Sequence, residues 1–266
     1  MRLYALVAAG GFRRYATYRI ATAAGVFTNT VFGFILAYTF IALWDERPGL
    51  GGYDQSQALT FVWTGQCLIA AAALFGGGFS DELQSRISTG DIAIDLYRPV
   101  DLQLWYLAQD LGRAALQLIG RGAVPLAAGA LAFDLALPAS PLRWLVFLLS
   151  VALGCVVSFA LRYLVGLSAF WLLDATGVNM FSTMLSMFFS GMLLPLTVFP
   201  GTFGEIAQRL PWSALLQVPA DVLLGRHEGV GLLAALGFQA AWALVLLALG
   251  RAVQAVATRR VVVQGG

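Results

Sequence analysis

The sequence predicts an all-α membrane protein with six transmembrane helices. Of its 266 residues, 59% are hydrophobic and only 11% are charged. Apolar runs close to the ~20 residues that a helix needs to cross a hydrocarbon core recur along the chain. The basic residues gather at the ends of those runs. Soluble domains carry roughly a quarter charged residues, so the missing charge corresponds to surface that faces lipid or other apolar helices. The whole chain, 1–266, reads as a single domain.

The first span covers Ala21 to Trp44 and is closed by Asp45-Glu46-Arg47-Pro48. The second covers Ala58 to Phe79, where Gly76-Gly77-Gly78 and then Ser80-Asp81-Glu82 end it. The third grows out of a mixed segment near Leu102, is placed at Trp105 to Phe133, and stops at Asp134. The fourth, Leu142 to Leu173, is unusually long, and Asp174 to Asn179 separates it from the fifth, Met180 to Phe199. Between Pro200 and Gly229 polar and apolar residues alternate at helical spacing around Glu205, Arg209, Pro211, Pro219 and Asp221. That stretch is too interrupted to span and predicts short external helices. The sixth span, Val230 to Gly250, leads into Arg251, Arg259 and Arg260.

Six spans place both termini on one side, and the excess of basic residues on cytoplasmic loops says which side that is. Arg2, Arg13, Arg14, Arg19, Arg86, Arg98, Arg251, Arg259 and Arg260 share one face, against Arg47, Arg143, Arg209 and Arg226 on the other. Both termini are therefore expected in the cytoplasm, with Arg13 to Arg19 as a lead-in. Trp44, Trp105, Trp144, Trp171 and Trp212 fall near span ends, where amphipathic rings prefer the headgroup level. No internal repeat is evident.

Several functions lose support. The sixteen basic residues are all arginine and stand singly or in pairs, which is not the clustered stripe that a nucleic-acid partner needs. Without a lysine the chain cannot form the G-x-x-x-x-G-K-[ST] phosphate loop, so an ATP site of that type must lie on another polypeptide. Cys67 and Cys155 sit inside apolar runs and read as small packed hydrophobes. His227, the one histidine, stands between Arg226 and Glu228, too isolated for a metal site or a nucleophile pair.

The densest charge lies between the second and third spans, from Ser80 to Asp101. Asp81 to Ile87 suits a short helix, Gly90 suits a turn or C-cap, and Pro99 pushes Arg98 toward an extended conformation. Ile87, Ile92, Ile94 and Leu96 give this polar loop an apolar side. Such an element either docks into a groove on another protein or lies flat on lipid headgroups. Within the spans, Arg121 and Arg162 are costly charges that call for a role. Asp110 and Arg113, one turn apart, are close enough to pair. These four residues either line a translocation path or fix helix packing.

Glu82, then Gly90, then Leu96 and Arg98-Pro99-Val100, resembles the coupling segment of ABC-2-type exporter permeases, in which an acidic residue and a glycine precede an apolar run ending in proline. The resemblance extends to a fifth span that ends near Pro195 and Pro200, and to Leu210-Pro211 and Val218-Pro219 in the stretch before the sixth. It implies the compact six-span branch, with a short cytoplasmic coupling helix between helices 2 and 3 and short external helices between helices 5 and 6. Larger members carry a long amphipathic N-terminal helix, whereas the lead-in here reads as short.

The resemblance further implies a permease subunit of an ATP-binding-cassette exporter. Its substrate would be a hydrophobic or amphipathic small molecule such as a drug, an antibiotic or a lipid-like compound. A separate ATPase subunit would hold ATP and Mg, and a second permease, identical or paralogous, would complete the unit in the bacterial cytoplasmic (inner) membrane. No cofactor or metal is expected in this chain. Glu82, Arg86, Ile87, Gly90, Ile92, Leu96, Arg98 and Pro99 would form the contact with the ATPase. Ile87, Ile92 and Leu96 would insert into its groove, while Glu82, Arg86 or Arg98 pair at the rim. Pro195, Pro200, Pro211 and Pro219 would frame an external gate. An intramembrane enzyme, which needs paired catalytic groups at membrane depth, and an assembly scaffold without transport are the alternatives.

Overall fold

The structure is a computed structural model that describes residues 2–172 and 175–260. Among these residues every regular element is helical. Four helices are long and apolar enough to cross a membrane: α2 (Arg19–Glu46), the run Leu102–Ala132, the run Pro141–Phe170, and α12 (Gly229–Ala257). The run Leu102–Ala132 comprises α6 (Leu102–Gln117), one π turn (Leu118–Gly122) and α7 (Ala123–Ala132). Pro125 explains the π turn: it has no N–H to give to the Arg121 carbonyl, and the wider turn absorbs the mismatch, with Ala123 N–H donating to Leu118 O. The long fourth run contains α8 (Pro141–Leu167).

The second and fifth apolar runs form shorter helices than expected. α3 (Gln55–Ala71) has 17 residues and stops well before Phe79, and α9 (Thr176–Phe189) has 14 and stops well before Phe199. α3 starts on a capping box between Asp54 and Gln57. It ends where side chains from neighbouring helices take its last carbonyls: Arg113 donates to Ala70 O (2.7 Å) and Ala71 O (3.0 Å), and Ser158 donates to Ala72 O. At about 25 Å α3 is shorter than a hydrocarbon core. It meets almost no lipid, however, because every residue from Ala58 to Ala71 except Ala70 is buried within the chain. Leu173 and Asp174, expected to end the fourth span and open the following break, lie outside the described residues.

α2 shows the two-faced pattern of a peripheral span. Gly25, Asn29, Gly33, Ala37, Phe40 and Trp44 are buried at intervals of one helical turn, while Phe27, Val31, Ile35 and Tyr38 face outward. α8 and α12 likewise expose Leu142, Leu145, Leu149, Leu233, Leu244 and Val245. Such surface suits hydrocarbon.

The N-terminal lead-in is more than a short tether. It folds into α1 (Arg2–Ala16), a 15-residue helix that runs antiparallel against α6. Gly11 faces Gln109 O and Gly112 faces Ala8 O so closely that a Cβ at either glycine would overlap the opposing backbone, at 2.3 and 1.9 Å.

The stretch after the fifth run forms α10 (Gly201–Arg209), a 3-10 turn (Pro211–Leu215) and α11 (Gln217–Leu223). Apart from Trp212, residues 211–223 are buried. Ala214 packs against Gly154 of α8, and its carbonyl accepts from Gln239 of α12 at 2.8 Å. Ser213, fully buried, donates to Gln208 O and Leu210 O. Of these short helices only α10 presents an exposed surface, while the 3-10 turn and α11 are packed into the bundle.

Candidate functional site

The polar loop between α3 and α6 forms an elbow of two short helices, α4 (Phe79–Thr89) and α5 (Ile92–Tyr97). α4 carries Asp81 and Glu82 in its first turn and Arg86 in its last, a distribution that complements the helix dipole. Gly90 ends it in the left-handed conformation at φ 82°, where a side chain would be strained. Arg98 then extends at φ −70°, ψ 138° ahead of Pro99.

The start of α4 is locked to the long helices. The Phe79 ring lies 4.7 Å from that of Phe159 and 5.7 Å from that of Tyr106, and the Arg162 guanidinium sits 4.9 Å above it. Ser80 Oγ donates to Arg162 O at 3.3 Å. Arg162 in turn donates to Asp110 Oδ2 at 2.5 Å, and Arg113 donates to Asp110 Oδ1 at 2.6 Å. The three charged side chains are between 2% and 8% exposed. One carboxylate thus joins α6 to α8 above the point where α4 leaves them. The same Arg113 caps α3.

The elbow has its own ion pairs. Asp95, buried, accepts from Arg86 and lies 3.3 Å from Arg98, while Glu82 pairs with Arg14 of α1 at 2.8 Å. Hydrogen bonds from these guanidinium groups to the carboxylates raise the pKa of Arg14 and Arg86, so both stay protonated. α1, α4, α5 and α6 enclose a groove of about 610 Å³ bordered by Leu6, Arg14, Asp95, Arg98 and Trp105.

The apolar side of the elbow faces inward. Ile92 is 1% exposed, and Ile87 and Leu96 pack against the same core as Leu83 and Phe79. Ile92 is therefore not a protruding anchor: its side chain already fills this chain's own interior. The apolar groups that the elbow presents outward are Ile94, 58% exposed, and Tyr97, 89% exposed. Phe79 escaped the sequence reading because its partners, Phe159 and Arg162, lie far along the chain; Asp95, whose partners Arg86 and Arg98 are local, and Tyr97, exposed, were open to it and were not singled out.

A family model described as ABC-2 family transporter protein matches residues 26–265. The chain belongs to the ABC-2 family. Members are membrane transport subunits, not themselves catalytic, and they generally work with an ABC ATPase. No curated protein matches the chain.

In this ABC-2 chain Pro195 and Pro219 flank residues of a second polar cluster, Leu196 and Gln217. Pro195, Pro211 and Pro219 are buried, and Pro200, exposed, precedes α10. Gln217 of α11 accepts from Leu196 N–H and donates to Tyr53 Oη and Asp221 Oδ2, each at 2.8 Å. Tyr53 Oη donates to Asp221 Oδ1 at 2.5 Å, and Arg226 lies over the Tyr53 ring at 3.9 Å. Burial pushes the Asp221 carboxyl above the usual carboxylate range, outweighing the hydrogen bonds from Tyr53 and Gln217 and the charge of Arg226. The fourth charge singled out from sequence, Arg121, stands apart from the Asp110 cluster. Among the described residues no three His, Cys, Asp or Glu side chains gather as a metal site.

Proposed function

We propose that this chain is the six-span permease subunit of an ATP-driven exporter of hydrophobic or amphipathic small molecules. Its elbow receives the stroke of a separate ATPase that holds ATP and Mg. The observation that carries this reading is the elbow's attachment: a polar two-helix projection whose first residues are bonded to the Asp110–Arg113–Arg162 cluster. A movement of α4 reaches α6 and α8 through Phe79 and Ser80, and reaches the end of α3 through Arg113. Three long elements thus respond to one displacement, as switching between inward and outward openings requires.

In this topology α3 and α9 are the second and fifth crossings. α3 crosses inside protein, where it need not match the bilayer, and α9 is completed by residues 190–199. The ion pairs support the sidedness. Arg14–Glu82, Arg86–Asp95 and Arg251–Asp101 join residues assigned to the cytoplasm, and Arg143–Glu228 and Arg226–Asp221 join residues assigned outside. Two permeases and two ATPases form the working unit in the bacterial inner membrane, with both termini in the cytoplasm. The docking face consists of Ile94, Tyr97 and the exposed edge of Arg98-Pro99, with Glu82 and Arg86 at its border, while Ile87, Ile92 and Leu96 hold the elbow to the bundle.

The test is co-expression with candidate ABC ATPases from the same genome and measurement of complex recovery for Ile94→Asp and Tyr97→Ala. Truncating an interface anchor costs about 1–3 kcal/mol, so recovery should fall while the permease itself accumulates normally. Wild-type recovery in both variants would refute the docking face.

A further inference from the structure

Arg121 lies in the π turn between α6 and α7, and its guanidinium rests on Gly25 of α2 so closely that a Cβ there would approach Cζ to 2.1 Å. Its Nε is buried without a hydrogen-bond partner, and among the described residues it has no carboxylate within ion-pair distance. The amide Oε1 of Gln117, one turn earlier, is likewise buried without a donor. Both side chains line a cavity of about 370 Å³ whose other walls include Asn29, Ile69, Phe75, Arg113 and the Gly76–Gly78 turn. That volume falls within the range of small-molecule sites.

A guanidinium whose buried Nε–H has no acceptor is costly, because a polar group left unmade costs more than a made bond returns. Asp110, the nearest carboxylate in sequence, is taken by Arg113 and Arg162. The placement fits cargo better than structure. The cavity adjoins Gly25, about 9 Å into α2 from its first residue, and the turn that follows α3, so in the proposed topology it sits near the cytoplasmic end of the spans, where an exporter takes up its load. Ile69 and Phe75 supply an apolar wall beside the cation.

We propose that this cavity binds the anionic head of a membrane-borne amphiphile, a phosphate or carboxylate on an apolar body, with Arg121 donating to the anion and Gln117 accepting from a neighbouring hydroxyl or amine. The assignment rests on the permease reading and names the charge of its substrate. The same chemistry is available from an anionic bilayer lipid and from a transported single-chain amphiphile.

The test is native mass spectrometry of the full chain in neutral detergent with four probes: dodecyl phosphate, phosphatidylglycerol, phosphatidylcholine and inorganic phosphate. Wild-type protein should retain at least one of the two anionic amphiphiles in preference to phosphatidylcholine and to inorganic phosphate. Arg121→Gln should weaken that binding by about tenfold or more, the loss of a charge-assisted hydrogen bond. Retention of dodecyl phosphate assigns the site to single-chain cargo, and retention of phosphatidylglycerol alone assigns it to lipid. Gly25→Ala, which displaces the guanidinium without removing charge, should also weaken binding and carries the test if Arg121→Gln does not accumulate. Equal binding by wild type and variant, no preference for an anionic head, or equal binding of inorganic phosphate would overturn the assignment. Recovery of the ATPase with Arg121→Gln should match wild type. If wild-type chain recovers no ATPase yet binds the anionic probe through Arg121, the permease reading fails and the site stands.

Discussion

Asp110→Asn tests the joint beneath which the elbow leaves the bundle. The carboxylate is 2% exposed between Arg113 at 7% and Arg162 at 8%. Breaking a buried pair by removing one partner costs about 3–5 kcal/mol, because the other charge is left uncompensated. Arg113 retains its bonds to Ala70 O and Ala71 O, so most of the loss falls on Arg162. That group keeps its place over the Phe79 ring and longer contacts to Ser158 Oγ at 3.2 Å and Gly77 O at 3.4 Å. The lower end, about 3 kcal/mol, is therefore expected. At about 2–4 °C per kcal/mol for a chain of this size, the Tm of the purified protein in detergent, followed by tryptophan fluorescence, should fall by about 6–12 °C. Adding Arg162→Gln removes the orphaned charge, so the double variant should lose less than the sum of the single losses. Replacing all three charged residues by apolar ones should not restore stability, because the carbonyls at the end of α3 would lose Arg113. An Asp110→Asn protein within about 2 °C of wild type would refute the reasoning.

Further outcomes follow from the elbow and from the Tyr53 cluster. Gly90→Val meets open space but must hold φ 82°, so it should cost about 1–2 kcal/mol and lower ATPase recovery by misdirecting α5; unchanged recovery would mean that the turn's conformation is unimportant. Ile92→Asp, at 1% exposure, should destabilise the permease itself by about 3 kcal/mol or more, seen as low yield before any partner is added. The raised pKa of Asp221 gives a pH signature. A carboxyl that the fold prefers protonated adds stability below its unfolded pKa and loses it as pH rises through the folded value. The Tm of wild type minus that of Asp221→Asn should therefore grow as pH falls from about 8 to about 5. A difference that shrinks on acidification would mean that the Arg226 pairing controls this group.

Much of the architecture was legible because lipid imposes a simple rule on composition. The outward faces of α2, α8 and α12 are continuous apolar surface, and their lengths emerged from hydropathy. α3 and α9 were overextended for the same reason: Ala72-Ala73-Leu74-Phe75 is as apolar as a span, and only the side chains of Arg113 and Ser158, from other helices, stop α3. The pairing of Asp110 with Arg113 followed from their spacing of one turn, but Arg162, 52 residues from Asp110, carries no local signal of the bond. Amphipathicity exposed the elbow, yet it could not say which side turns inward. A polar loop with an apolar face reads alike whether that face meets a partner or its own core, and here Ile92 meets the core. The substance of α1 is not legible in the sequence because its packing on α6 depends on two glycines, Gly11 and Gly112, that meet only in the fold.

The claim that the α4–α5 elbow meets the ATPase is tested most directly by photocrosslinking in membranes, with a photoreactive residue placed singly at Tyr97 and at Leu131, which are 89% and 90% exposed. The account predicts a crosslink to the ATPase from Tyr97 and only to lipid or a second permease from Leu131. A crosslink to the ATPase from Leu131 with none from Tyr97 would contradict it.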